Sequence, residues 1–278
     1  MIRQNMNEKD WLACYIYFTG SADKLLIEDI FPLIQEAFQN KWVEQYFFIR
    51  YSDSHGKHIR LRFKGKREIL DTKVKSLLRQ KFPNSRFVTY RPELTRYGGK
   101  NGIVLAEKIF ESSSNTILSF LSENKNANYE KSLGFSLQLN ISMMHAFGMQ
   151  KAEAIAFFNH ISGQGNEKIF IKNFNTEQGK MILPSLSKLW FSLEQLQTFD
   201  KMWFNTWLKN VTSIGEELKR LYQNDKLKPL DPKKTHIQNP LWYLYESYVH
   251  MNNNRLGIYN EDESYIAYII KQGLSYEK

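Results

Sequence analysis

Two kinds of hydrophobic spacing divide the chain. Over the first third, short runs in which apolar residues are continuous or alternate take turns with runs where they recur every three or four positions. The apolar and aromatic WLACYIYF (11–18) predicts a strand. SADKLLIEDIFPLIQEAF (21–38), opened by a Ser or Asp cap and carrying helically spaced Leu, Ile and Phe, predicts a helix that Pro32 kinks or restarts. VEQYFFIRY (43–51) and HIRLRFKG (58–65) predict two further strands, joined as an antiparallel hairpin through the turn-forming SDSHGK. KREILDTKVKSLLRQKF (66–82) predicts an amphipathic helix, and RFVTYRPEL (86–94) a return to strand until Pro92.

From about Gly102 onward the three- and four-residue spacing dominates. It predicts helices in 103–124, 130–148, 151–161, 193–224 and 239–258, with the polar stretch 223–239, containing Pro229 and Pro232, as a loop. The fold class expected is therefore α+β: an N-terminal antiparallel or mixed sheet with flanking helices, followed by a predominantly helical C-terminal part. No long Gly, Ser or Pro linker divides the chain. We expect one domain over 1–278, its sheet portion at 1–100 and its helical portion at 101–278.

Composition narrows the picture only slightly. With 42% hydrophobic residues, 278 residues can bury a sizeable core. The 38 Lys and Arg against 29 acidic residues give a net charge of +9, which suits nucleic acid, an acidic substrate or an acidic partner and selects none of them. The single cysteine, Cys14, excludes an internal disulfide and a cysteine metal site. It fits packing in a reducing compartment. The polar opening MIRQNMNEKDW predicts no signal peptide, and no segment approaches the roughly 20 apolar residues of a membrane helix, so the expected location is cytoplasmic. The six histidines show no metal spacing beyond His55 and His58, and the phosphate-loop, dinucleotide, serine-elbow and zinc-protease motifs are missing. No metal and no cofactor are expected.

Three stretches carry candidate chemistry. In HIRLRF, Ile59, Leu61 and Phe63 alternate with His58, Arg60 and Arg62, placing two arginines and a histidine on one strand face. Standing alone such a face is an outer surface; put to use, it would bind a carboxylate or stabilise an oxyanion. In TYRPELTRYGGKNG (89–102), a Tyr97-Gly98-Gly99 turn is flanked by Arg91, Glu93 and Arg96 just before a helix, an arrangement suited to anions or simply an ordinary glycine turn. In YVHMNNNRLGI (248–258), His250, Asn253 and Asn254 share a helical face and Arg255 and Gly257 close the segment. A histidine there serves as general acid or base, or as a satisfied structural group.

Taken together and in this order, WVEQYFFIRYSDSHGKHIRLRF, YRPELTRYGG leading into LAEKIF, and HMNNNRLG resemble the elimination domain at the C-terminal end of class I lantibiotic dehydratases, whose stand-alone members are known as thiopeptide-type bacteriocin biosynthesis proteins. The resemblance covers about residues 10–122 and 238–275, with 123–237 alike only in being helical. It implies a lyase that acts on a ribosomal precursor peptide whose Ser or Thr side chains a separate tRNA-dependent glutamylation protein has esterified. Loss of glutamate leaves dehydroalanine or dehydrobutyrine. No direct nucleic-acid contact is implied. The family's important groups fall on Arg60 or Arg62, on Arg96 and Glu93, and on His250. The resemblance makes His250 proton donor or acceptor and Arg62 and Arg96 binders of enolate or glutamyl carboxylate, while Glu93 orients an arginine or moves a proton. Arg60, Tyr97, Asn254 and Arg255 are expected to bind substrate or shape the site. Thr95 stands where many members carry an acidic residue, which leaves that side chain's role open. Two other readings remain: a thiopeptide pyridine synthase, whose pattern diverges from His-Met-x-x-Asn-Arg, and a non-catalytic peptide- or RNA-binding module that uses the charge surplus.

Overall fold

The alternation of residues 58–63 becomes the middle of a strand with two different sides. In the computed structural model, which describes residues 9–125, 127–174, 181–228 and 239–276, the strands β1 (Lys9–Tyr17), β2 (Gln45–Asp53), β3 (Gly56–Lys66) and β4 (Arg86–Val88) form a sheet in the order β2-β3-β1-β4, with each neighbouring pair antiparallel. With the helix that follows β1 and the helix that follows β3, this is the split βαβ arrangement of ferredoxin-like sheets. On one side Leu12, Cys14, Ile16, Ile59, Leu61 and Phe63 are buried, as the two-residue period requires. By packing, the described residues fall into two units, those up to 92 with those of 113–125, and those of 93–112 with those from 127 onward.

The helix after β1 (α1) does not stop at Pro32. It runs as Ala22–Leu25, one π-helical turn Leu26–Ile30, and Phe31–Gln39, with Ser21 capping its start. Pro32, which has no N–H to give, thereby stands in the first turn of the resumed α-helix. The helix after β3 (α2) has the same three-part form: Arg67–Ile69, a π turn Leu70–Val74, and Lys75–Lys81. The hairpin is tighter than the six-residue turn expected, because β2 and β3 stay paired to Asp53 and Gly56 and leave only Ser54 and His55 between them. β4 is shorter than expected: residues 89–94 lie outside it. The outer edge of β2 is covered by the second half of the next helix, α3 (Gly99–Glu123), where Ser114 Oγ accepts the Phe48 N–H at 3.3 Å and Asn115 Oδ1 accepts the Tyr46 hydroxyl at 2.7 Å.

The second unit is built around α4 (Tyr129–Ala146), which is buried on nearly all sides. Around it lie α5 (Lys151–Ser162), α6 (Glu167–Phe174), α7 (Leu183–Glu194), α8 (Met202–Gln223), α9 (Trp242–Leu256) and α10 (Asn260–Leu274), of which α5, α7, α8, α9 and α10 pack against α4 directly. The single helix expected over 193–224 is two. Leu196 takes a positive φ of 53°, and the Asn205 side chain bonds both the N–H and the carbonyl of Phe199, at 2.9 and 2.6 Å, supplying the loop with the partners that a helix would have given it. Helices α6 and α10 and most of α7 were not among the expected segments. Most of the loop expected over 223–239, namely 229–238 with both its prolines and His236, lies outside the described residues.

What fixes α9 on α4 is polar. The Asn253 Oδ1 accepts bonds from Ser136 Oγ at 2.6 Å and from Asn140 Nδ2 at 3.0 Å, and Asn140 also donates to Ser136 Oγ at 3.1 Å, all three residues being fully buried. The helix then ends at Gly257, in the left-handed conformation (φ 79°), with the Ile258 N–H returned to the Asn253 carbonyl at 3.0 Å. Replacing Asn253 by Ala removes the acceptor for two buried donors. We expect a loss of about 2–4 kcal/mol, read as a lowered urea midpoint, against less than about 0.5 kcal/mol for a surface change such as Lys188→Ala.

Candidate functional site

The sheet unit holds the first group of candidate residues on the side of the sheet away from its buried aliphatic side chains. Cross-strand pairing puts Tyr15 and Ile49 opposite Arg60, Ala13 and Phe47 opposite Arg62, and Tyr17 and Tyr51 opposite His58. The two arginines, equivalent in the sequence pattern, have different surroundings. Arg62 is only 9% exposed and its guanidinium lies against the rings of Phe47 and Tyr90, at 5.1 and 5.0 Å, which meet edge-on beside it. Arg60 is half-buried, lies 3.3 Å over the Tyr51 ring and 4.9 Å over that of Tyr15, and donates from Nε to His58 Nε2 at 3.3 Å. His58 is fully buried, and its Nδ1 meets the Gly56 carbonyl at 3.1 Å. A nitrogen that accepts from arginine carries no proton, so the partners assign His58 as the neutral Nδ1–H form. It orients Arg60.

The helical unit holds the second group. The ELTRYGG segment closes on itself through Tyr97 N–H to the Glu93 carbonyl and Gly99 N–H to the Leu94 carbonyl. Gly98 has a φ of 78°, and a Cβ there would lie 2.8 Å from Leu227 Cδ1, so the position excludes side chains twice over. Tyr97 is buried, stacked on Tyr248 at 5.7 Å and edge-on to Phe110 at 5.1 Å. Burial pushes its phenol up to about 12 against the opposing pull of Arg96, and burial pushes that of Tyr248 well above its ordinary value, so both hydroxyls stay neutral. Anchored in this way, the segment presents Arg96, whose Nε donates to Ser247 Oγ of α9 at 3.1 Å. Glu93 is 3.5 Å from Arg96 Nη1 and 64% exposed, a pairing worth about 0–1 kcal/mol.

Ser247 and His250 are three residues apart on α9, and side chains at that spacing are neighbours. Arg96 is thus bonded to α9 one turn before His250. His250 Nδ1 lies 2.9 Å from Glu263 Oε1, with the two side chains 32% and 15% exposed. Asn254 is half-buried and remains on the His250 side of α9, whereas Asn253, expected to share that face, turns inward to Ser136 and Asn140. Positions 253 and 254 lie about 100° apart around a helix, and the buried bonds take the first of them. Arg255 is fully buried, with Nη1 on the Met251 carbonyl at 2.9 Å and its guanidinium 5.0 Å over Phe110. It therefore packs inside the unit.

Two partners escaped the sequence pattern, Ser247 and Glu263. Ser247 falls one turn before His250, and Glu263 is one of three acidic residues in the first turn of α10, where carboxylates are favoured by the helix dipole. Tyr129 ties that turn to the start of α4 by donating to Asp262 Oδ2 at 2.5 Å and accepting the Tyr259 N–H at 3.0 Å. Among the described residues no group of three His, Cys, Asp or Glu side chains is placed to hold a metal ion, and no helix is long and apolar enough to cross a membrane.

A family model described as lantibiotic biosynthesis dehydratase C-term matches residues 11–274, including the intervening helices that the sequence motifs had left uncovered. The nisin biosynthesis protein NisB of Lactococcus lactis subsp. lactis is 25% identical over 97% of this chain and 26% of its own length, and the subtilin biosynthesis protein SpaB of Bacillus subtilis is 30% identical over 41% of this chain and 12% of its own. The chain thus spans about a quarter of NisB. Among solved structures, the tRNA-dependent lantibiotic dehydratase MibB from Microbispora sp. 107891 aligns over 98% of this chain and 28% of its own, with a TM-score of 0.72 at 20% identity. TbtD, a pyridine synthase from thiomuracin biosynthesis, aligns over 96% of this chain and 98% of its own, with a TM-score of 0.71 at 12% identity. At these identities the likeness is one of fold.

The turn that carries Arg96 has a simple test. A Cβ at Gly102 would fall 1.7 Å from the Tyr97 carbonyl oxygen and 2.7 Å from Leu227 Cδ1. Gly102→Ala must push the turn and the start of α3 apart. We expect a loss of about 1–3 kcal/mol in urea unfolding, with near-ultraviolet circular dichroism altered by the displaced Tyr97.

Proposed function

We propose, since this chain belongs to the lantibiotic biosynthesis dehydratase C-terminal family, that it is a lyase which removes glutamate by β-elimination from glutamylated Ser or Thr residues of a ribosomal precursor peptide. The product is dehydroalanine or dehydrobutyrine. The glutamate would be attached beforehand by a separate tRNA-dependent glutamylation protein, and both steps would take place in the cytoplasm.

The carrying observation is the pair formed on α9 by a half-exposed, carboxylate-bonded His250 and an arginine anchored one turn away through Ser247. Elimination needs these two kinds of group. A base must take the α-proton, and fixed positive charge must meet the enolate oxygen and the departing carboxylate. His250 is the base in this reading and Arg96 an anion binder. On the sheet, Arg62 offers a guanidinium backed by two aromatic rings and suits developing charge, while the more exposed Arg60 suits the glutamyl carboxylate. Glu93 restrains Arg96. Tyr97 and Arg255 hold the segments that carry Arg96 and His250, and Asn254 stands beside the histidine.

One observation favours a second reading. The chain matches nearly the whole length of the pyridine synthase TbtD, a class that joins two dehydroalanines and expels the leader peptide. The His-Met-x-x-Asn-Arg pattern at 250–255 favours elimination over it.

Incubating the purified chain with a glutamylated peptide should release free glutamate and leave the dehydrated residue, seen by mass spectrometry. His250→Ala and Arg96→Ala should slow that conversion by about 10²-fold or more and leave the glutamyl adduct. Failure of the wild type on glutamylated peptide, together with ring formation from a peptide containing two dehydroalanines, would overturn the lyase reading in favour of the second.

A further inference from the structure

We infer that Glu263 is the positioning residue of the site: it holds the proton of His250 on Nδ1, so that Nε2 faces the substrate as a base, and it offsets the imidazolium that forms. This rests on the elimination reading. A carboxylate only accepts, so at a separation of 2.9 Å the nitrogen facing Glu263 Oε1 must be the donor. A neutral imidazole that donates from Nδ1 has its lone pair on Nε2.

The carboxylate is held rather than loosely available. Glu263 is 15% exposed and sits in the first turn of α10, where the backbone N–H groups favour negative charge. That turn is tied to α4 by Tyr129 through Asp262 and the Tyr259 N–H. Competing charges nearby are already engaged. Glu246, one turn earlier on α9, accepts from Gln164 Nε2 at 3.0 Å, and Arg96 is bonded to Ser247 and paired with Glu93.

The reaction then balances. His250 Nε2 takes the α-proton, and the C–H electron pair passes through the enolate into the new Cα–Cβ double bond. The bond from Cβ to the ester oxygen breaks, and glutamate leaves as a carboxylate carrying that oxygen. The imidazolium left behind lies against Glu263 and returns its proton to water.

The test is ¹⁵N NMR of histidine-labelled protein combined with steady-state kinetics. We expect neutral His250 to be the Nδ1–H tautomer in the wild type, with the buried His58 of the sheet unit as an internal reference for the same form. Glu263→Ala should move His250 towards the Nε2–H tautomer and lower kcat by about 10²-fold with KM little changed. Glu263→Gln, close in shape, keeps an accepting oxygen; it should retain the tautomer yet lose about tenfold in kcat for want of the charge. If Glu263→Ala fails to fold, the wild-type tautomer and the Gln variant still decide. An Nε2–H tautomer in the wild type would sink the proposal, as would a kcat unchanged in Glu263→Gln. The tautomer is read without substrate, so an inactive wild type with Nδ1–H His250 counts against the elimination reading and leaves the positioning intact.

Discussion

Everything proposed for the helical unit depends on the roll of α9 about its own axis, and buried polar contacts to α4, those of the Asn253 side-chain oxygen foremost and those of Asn252 beside it, set it. Hydrophobic burial is nearly indifferent to such a roll because it has no direction, and α9 carries Trp242, Tyr245, Tyr248 and Val249 around much of its girth. Hydrogen bonds do have direction. With Ser136 and Asn140 both pointed at Asn253, turning the helix by one residue, about 100°, would strand two donors and bury His250. A polar network thus specifies what apolar packing leaves open.

The sheet solves a different problem, that of keeping cations at a surface rich in rings. Guanidinium is weakly hydrated and stacks well on aromatic faces, so Arg60 and Arg62 can rest against Tyr15, Tyr51, Phe47 and Tyr90 at lower desolvation cost than lysines would incur. In the other unit, the neutral phenols of Tyr97 and Tyr248 add polar atoms without adding charge that would compete with Arg96.

Much of this was legible from period and spacing. The βαββαβ order, the hairpin and the two-sided strand follow from alternation, because a sheet with one buried face tolerates no slip of register. The pairing of Arg96 with α9 and of His250 with Glu263 was not legible, since Ser247 is separated from Arg96 by 151 positions and Glu263 lies beyond a glycine stop. The break at 195–201 was hidden for another reason. Its apolar residues keep helical spacing, and it is the Asn205 side chain that gives the loop its backbone partners. Asn253 faces inward and not to the side that its spacing from His250 predicts, because spacing gives relative angles and leaves the zero of rotation to tertiary contacts.

The helix α3 belongs to one unit over residues 99–112 and to the other over 113–123, so the chain passes between the units after 92, after 112 and between 125 and 127. No single cut yields two whole pieces. A single crossover in the gene at any of these points would leave one unit missing a segment, so neither the sheet nor the helices can be exchanged whole by one such event. Substitution within either unit, by contrast, leaves the division of the chain unchanged.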